Sequence, residues 1–179
     1  MTQDKCSLVA PSARFEEAFR EMAAEFRHAG QDRHEDLPKD FGEYVRRLRA
    51  QSRGIGLKPG HVAQSTYWLV SPDGRVLGTS RLRHRLTPQL EHSGGHIGYD
   101  VRPSERRKGY GTRLLALTLQ RARELGMERV LLTCDDDNLA SARIIEKNEG
   151  QLENKVLSPR SGKLHRRYWV EVATAEEDD

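Results

Sequence analysis

The sequence predicts an α/β fold of the α+β kind, a single domain spanning residues 1–179, with elements in the order ααβββαβαββ. Three observations lead there. Apolar residues recur at helical spacing in the first fifty positions, the pattern turns strand-like around Ser71-Pro72-Asp73-Gly74, and a basic, glycine-containing loop joins a strand to a long helix.

The first helix is expected over residues 12–28, where Phe15, Ala18, Phe19, Met22, Ala23 and Phe26 share one face. Ser12 is its N-cap and Gly30 lies past its end. A second, over 40–51, carries Phe41, Tyr44, Val45 and Leu48 on one face. Residues 52–60 hold three glycines and a proline and read as a loop. Residues 67–70 and 76–83 flank the Ser71–Gly74 turn as a hairpin. A loop over 87–95 precedes a third strand, 96–101. A helix over 112–125 stops at Gly126, and a strand over 129–134 follows. The acidic turn Asp135-Asp136-Asp137-Asn138 opens a helix over 139–147, and residues 151–157 and 164–172 close the chain as a hairpin. Residues 1–11 and 174–179 are expected to be flexible.

Composition narrows the class. The chain is 36% hydrophobic, 32% charged and 6% aromatic, with no apolar run long enough to span a bilayer. Charged residues interrupt the first thirty positions, so no secretory signal is read there and a cytoplasmic location is expected. Cys6 lies in a segment expected to be loose, Cys134 ends a buried strand, and no Cys-x-x-Cys spacing suggests metal or redox chemistry. A net charge of +3 is a mild basic bias that would attract a polyanionic ligand.

The chemistry concentrates in Arg106-Arg107-Lys108-Gly109-Tyr110-Gly111, between the third strand and the following helix. Two glycines let the backbone approach an anion, the helix that follows directs its free N–H groups at it, and three cations neutralise the remaining charge. This is a cradle for a phosphorylated cofactor.

The run from Val101 through Arg102-Pro103, the arginine three residues before Gly109, and on to Gly111-Thr112-Arg113-Leu114-Leu115 resembles the acetyl-coenzyme A motif of the GCN5-related N-acetyltransferases. Asn138-Leu139-Ala140-Ser141, then Glu146-Lys147 and Gly150, resembles the same family's second motif. Leu82-Arg83-His84-Arg85-Leu86 and Gly94-Gly95-His96-Ile97-Gly98-Tyr99 look like a little-characterised bacterial branch of it. The resemblance implies a central mixed, mostly antiparallel sheet, splayed between the strands ending at Val101 and Cys134 and flanked by helices, with the pantetheine arm of acetyl-CoA in the gap. It implies acetyl transfer to a primary amine of a small molecule or protein by direct attack, with acetyl-CoA as co-substrate and no metal. Val101 N–H is then the carbonyl donor. Arg106, Arg107, Lys108, Gly109, Tyr110, Gly111, Thr112, Asn138 and Ser141 hold the cofactor.

The proton acceptor stays open among His96, Asp100 and Glu91. The donor to the leaving thiolate also stays open, because Ile145 stands where many relatives carry a tyrosine and an isoleucine has no proton to give. Water, Tyr99 or Tyr168 can substitute, or the thiolate departs unassisted. Gly150 is also shifted, preceded by Glu149. A non-catalytic acetyl-CoA sensor is therefore the alternative.

Other clusters read as structural. Consecutive aspartates point in different directions, so Asp135, Asp136 and Asp137 form a turn and cap rather than a metal site. Arg81, Arg83 and Arg85 share a strand face that is either solvated or an electropositive wall. Tyr168 and Trp169, within a basic stretch, are expected to pack on the sheet, which disfavours a nucleic-acid partner. The acceptor is assigned to loops 52–60, 87–95 and 158–163, whose sequence carries no readable code. Oligomeric state is open, a homodimer included.

Overall fold

The structure is a computed structural model describing residues 3–34 and 36–172. Its elements are β1 (Ser7–Val9), α1 (Glu16–His28), α2 (Phe41–Gln51), β2 (Gln64–Val70), β3 (Val76–Arg83), α3 (Pro88–His92), β4 (Ile97–Val101), α4 (Tyr110–Glu124), β5 (Arg129–Asp135), α5 (Leu139–Lys147), β6 (Gln151–Leu157) and β7 (Leu164–Glu171). Every ladder is antiparallel. One sheet runs β1-β2-β3-β4 and a second runs β5-β7-β6.

Two elements depart from expectation. Ser7–Val9 pairs with Trp68, Leu69 and Val70, and Cys6 is buried, where a loose N-terminal segment was expected. Three residues are too few to show a periodicity, so only pairing reveals the strand. Within the expected loop over 87–95, α3 forms because the Thr87 hydroxyl accepts from Leu90 N–H and Pro88 occupies the first turn. The expected tail over 174–179 lies outside the described residues.

Helix starts follow local chemistry. Asp40 caps α2 by accepting from Glu43 N–H at 3.0 Å, and Asn138 caps α5 by accepting from Ser141 N–H at 3.1 Å. Ser12 does not cap with its side chain. Its carbonyl accepts from Phe15 in a 3₁₀ turn, Ala13–Phe15, and α1 begins at Glu16.

The pleat assigns the core. Trp68, Thr79 and Asp100 share one face of the first sheet, which α1 and α2 cover through Phe19, Met22, Phe26, Phe41 and Val45. Tyr67, Ser80 and Tyr99 share the other, against α4, where Ser80 Oγ and Thr118 Oγ1 lie 2.8 Å apart. α4 and α5 continue over the second sheet, burying Val130, Leu132, Ile145, Tyr168 and Val170.

The splay expected between the strands ending at Val101 and Cys134 is complete enough that the strands form two sheets that touch. His96 N–H donates to Leu131 O at 2.7 Å, and Leu131 N–H donates back to His96 Nδ1 at 2.9 Å. Past this junction no ladder joins β4 to β5.

Candidate active site

Between the end of β4, the start of α4 and α5 opens a cleft of about 590 Å³. Its walls come from the end of β4 (Tyr99, Asp100, Val101), the basic loop and first turn of α4 (Arg106, Arg107, Gly109, Gly111, Thr112), and α5 with its cap (Asn138, Ser141, Arg143, Ile144, Lys147). Phe26, Gln31 and Arg33, on and after α1, close the remaining side.

The orientation of the β4 backbone follows from its ladder. Arg102 N–H donates to Leu77 O at 2.8 Å, so Asp100 and Gly98 direct their backbone groups at β3. Val101 and Tyr99, in alternate positions, direct theirs away from it into the cleft. Val101 O indeed accepts from Arg106 Nε at 3.1 Å.

Gly109 precedes α4 with φ +82°, a left-handed conformation that costs glycine little, and Arg107 shares it at φ +59°. The first intrahelical bond is Arg113 N–H to Gly109 O at 3.1 Å, which leaves the amides of Tyr110, Gly111 and Thr112 without an intrahelical acceptor. Gly111 has a packing reason as well: a Cβ there would lie 2.6 Å from Ile144 Cδ1 and 3.5 Å from Val101 Cγ2.

The charges around this helix start are unevenly partnered. Arg33, Arg107, Arg143 and Lys147 meet no carboxylate among the described residues. Arg106 also bonds Gln31 Oε1 at 2.7 Å. The carboxylates in the cleft are already engaged. Burial alone would raise the Glu105 carboxyl, but hydrogen bonds from Lys108 and Arg75 outweigh it and hold the group below the usual range. The cleft is therefore net cationic at its α4 end.

Lys108 and Tyr110, both expected to contact a cofactor, do not line the cleft. Lys108 lies 3.1 Å from Glu105 Oε2. Arg102, just after β4, is buried against Glu25 at 2.6 Å and Glu21 at 3.7 Å, tying this end of β4 to α1.

Of the three candidate bases, His96 is the junction between the sheets. Its Nδ1 accepts from a backbone N–H, and burial, aided by the nearby Arg83 charge, lowers its pKa to about 4. The lone pair a base would need is occupied. Glu91 is exposed on α3 and outside the cleft lining. Asp100 lines the cleft and accepts from Thr79 Oγ1 at 3.0 Å, with His34 Nε2 3.0 Å and Arg81 3.5 Å away. Its burial favours the neutral acid, yet the hydrogen bond and charge of His34, with Arg81 and Thr79, hold it ionised.

His34 was invisible as a site residue. It follows α1 with φ +60°, its ring packed edge-on against Phe19 and Phe26, and meets Asp100 only through tertiary structure. Arg143 and Lys147 were equally unremarked, although their i, i+4 spacing places both on one face of α5.

Tyr99 Oη lies 2.7 Å from Ser141 Oγ at the cleft wall, and burial raises its pKa to about 12. Tyr168 is buried, bonded to Glu146 at 2.9 Å and outside the cleft. Ile145 is fully buried in the core. The aspartates of the acidic turn are ion-paired, Asp135 with His165 and Lys163, and Asp136 with Arg166 and Lys155.

An antiparallel sheet parted beside a glycine-led, cationic helix start matches one family. The model of the acetyltransferase (GNAT) family matches residues 16–150. The chain belongs to the GNAT acetyltransferases.

Solved GNAT structures superpose over nearly its whole length. RimL, a ribosomal alpha-N-protein acetyltransferase in complex with coenzyme A, is 15% identical with a TM-score of 0.67, over 96% of each chain. MccE, a microcin self-immunity acetyltransferase in complex with acetyl-CoA and AMP, is 12% identical with a TM-score of 0.69, over 94% of this chain and 93% of its own. A chimera of the spermidine N-acetyltransferase SpeG from Vibrio cholerae and hSSAT is 12% identical with a TM-score of 0.63, over 94% and 96%. At these identities the likeness is one of fold. A search of curated proteins finds no match. No helix among the described residues is long and apolar enough to cross a membrane.

Proposed function

We propose that this GNAT domain binds acetyl-CoA in the cleft between β4, α4 and α5 and transfers its acetyl group to a primary amine of a small molecule or protein. The observation that carries the reading is the cleft itself, where the backbone groups of Val101 face the gap and a cationic helix start stands at its mouth. RimL and MccE are solved with coenzyme A and acetyl-CoA respectively, which supports the same ligand here. The amides of Tyr110, Gly111 and Thr112 suit the pyrophosphate, with Arg107, Arg143 and Lys147 neutralising phosphate charge. Asn138 spends its Oδ1 on the α5 cap, which leaves its NH₂ group for the pantetheine arm.

Bound acetyl-CoA would supply an activated acyl group as a thioester. The chain then has three tasks. Val101 N–H donates to the carbonyl oxygen as negative charge develops there. Tyr99 Oη, kept protonated by burial and held by Ser141, can give the proton that the leaving sulfur takes up. Asp100, ionised and joined to His34, receives the ammonium and accepts its proton, directly or through water. Tyr99 thus fills the gap left by Ile145, which weighs against the non-catalytic sensor. The cytoplasmic setting suggested by composition belongs to this same reading.

Calorimetric titration with acetyl-CoA, alongside dephospho-CoA, tests the binding half. One-site saturation, weakened in the dephospho compound, is expected. Thiol release with an amine panel tests catalysis: binding without release from any amine would favour the sensor, and no binding by folded protein would overturn the reading.

A further inference from the structure

The first sheet's register puts Gln64 opposite Arg83, and Thr66, Arg81 and Gly98 in one row, all on the face shared with Asp100. Gly98 has no side chain, and the Arg81 guanidinium lies over it, its Nη2 3.2 Å from where a Cβ would stand. Arg83 is half-buried beside it and donates to Gly95 O at 2.9 Å, next to the His96 junction. Among the described residues Arg83 meets no carboxylate, and burial together with the Arg81 charge depresses its pKa. Thr66 Oγ1, in the same row, is buried without a hydrogen-bond partner among the described residues.

Arg83, half-buried with only carbonyl partners, and an unsatisfied hydroxyl form a site short of one anion, beside a second cation, Arg81, whose carboxylate partner Asp100 stands at 3.5 Å. Cofactor phosphates lie at the wrong end. The Arg83–His96 row is five residues along β4 from Val101, roughly 17 Å at strand rise, whereas the α4 start follows Val101. The Gly98 row is only two residues along β4 from Asp100, and Arg81 Nη1 lies 3.5 Å from Asp100 Oδ2.

We infer that Arg81 and Arg83 form an anion subsite of the acceptor pocket, so that the acceptor is a primary amine that also carries a carboxylate. This rests on the acetyltransferase reading above. A polyamine fits poorly, because the carboxylates nearest the cleft, Asp100 and Glu105, already hold cationic partners and Arg83 would repel it.

The test measures thiol release with glutamate, with its two monoamides glutamine and isoglutamine, and with spermidine. Glutamate is expected to exceed spermidine, and at least one monoamide, by about tenfold or more in kcat/KM. Arg83→Gln should abolish that preference through KM, with kcat within about twofold and the acetyl-CoA Kd unchanged, whereas Arg83→Lys should keep it. Equal use of spermidine and glutamate, or preference retained in folded Arg83→Gln, would overturn the subsite. Acetyl-CoA binding with no release from any of the four amines also removes it and leaves the cofactor assignment standing. Failure to bind acetyl-CoA removes that assignment instead.

Discussion

His96 separates a structural pin from a catalytic base, and pH reads the difference. Its pKa falls from an unfolded value of 6.5 to about 4 in the folded chain, so the unfolded state binds the extra proton first. Between those values stability rises with pH. The contribution of the neutral imidazole is complete above pH 6.5 and is lost as pH falls toward 4. At about 1.4 kcal/mol per pH unit, a shift of this size is worth up to about 3 kcal/mol. Many carboxylates titrate in the same window, so the control is His96→Asn, whose Oδ1 can accept from Leu131 N–H without titrating. Urea unfolding at pH 7.5, 6, 5 and 4.2 should show wild type losing about 2–3 kcal/mol relative to this variant on acidification. Parallel stability curves would refute the assignment of His96 as a neutral pin. So would loss, in His96→Asn, of an acid limb near pH 6–7 in kcat/KM, since that limb would mark His96 as the base.

Tyr99→Phe should lower kcat by about a hundredfold with the acetyl-CoA Kd unchanged; a drop below twofold in thiol release would remove Tyr99 as the proton donor. Ile145→Tyr restores the residue many relatives carry, yet Ile145 is fully buried, and its Cγ2 would lie 2.4 Å from a Cβ on Gly150. We expect about 1–3 kcal/mol of destabilisation in urea and no gain in kcat, and a stable, faster variant would contradict the packing. Arg143→Ala and Lys147→Ala should each raise the acetyl-CoA Kd by about five- to tenfold at low salt, with the difference shrinking at 1 M salt. Calorimetry that finds neither effect would remove α5 from phosphate binding.

Where the chemistry is local, the sequence alone determined the outcome. The start of α5 and its Asn138 cap follow from side-chain hydrogen bonding within one turn, and the glycine loop follows from backbone freedom at Gly109. Its two motifs were enough to identify the family. What the tertiary structure decided is which side chains face one another across long stretches of chain. His34 and Asp100 are 66 positions apart, and nothing near either marks the pairing. His96 was a plausible base until the junction with Leu131 occupied its Nδ1. Lys108, expected to hold the cofactor, has Glu105 beside it and does not line the cleft, while Arg143 and Lys147 on a later helix do. Periodicity reports which face of an element is apolar. Only packing determines which partner that face meets, and so which charges are left for a ligand.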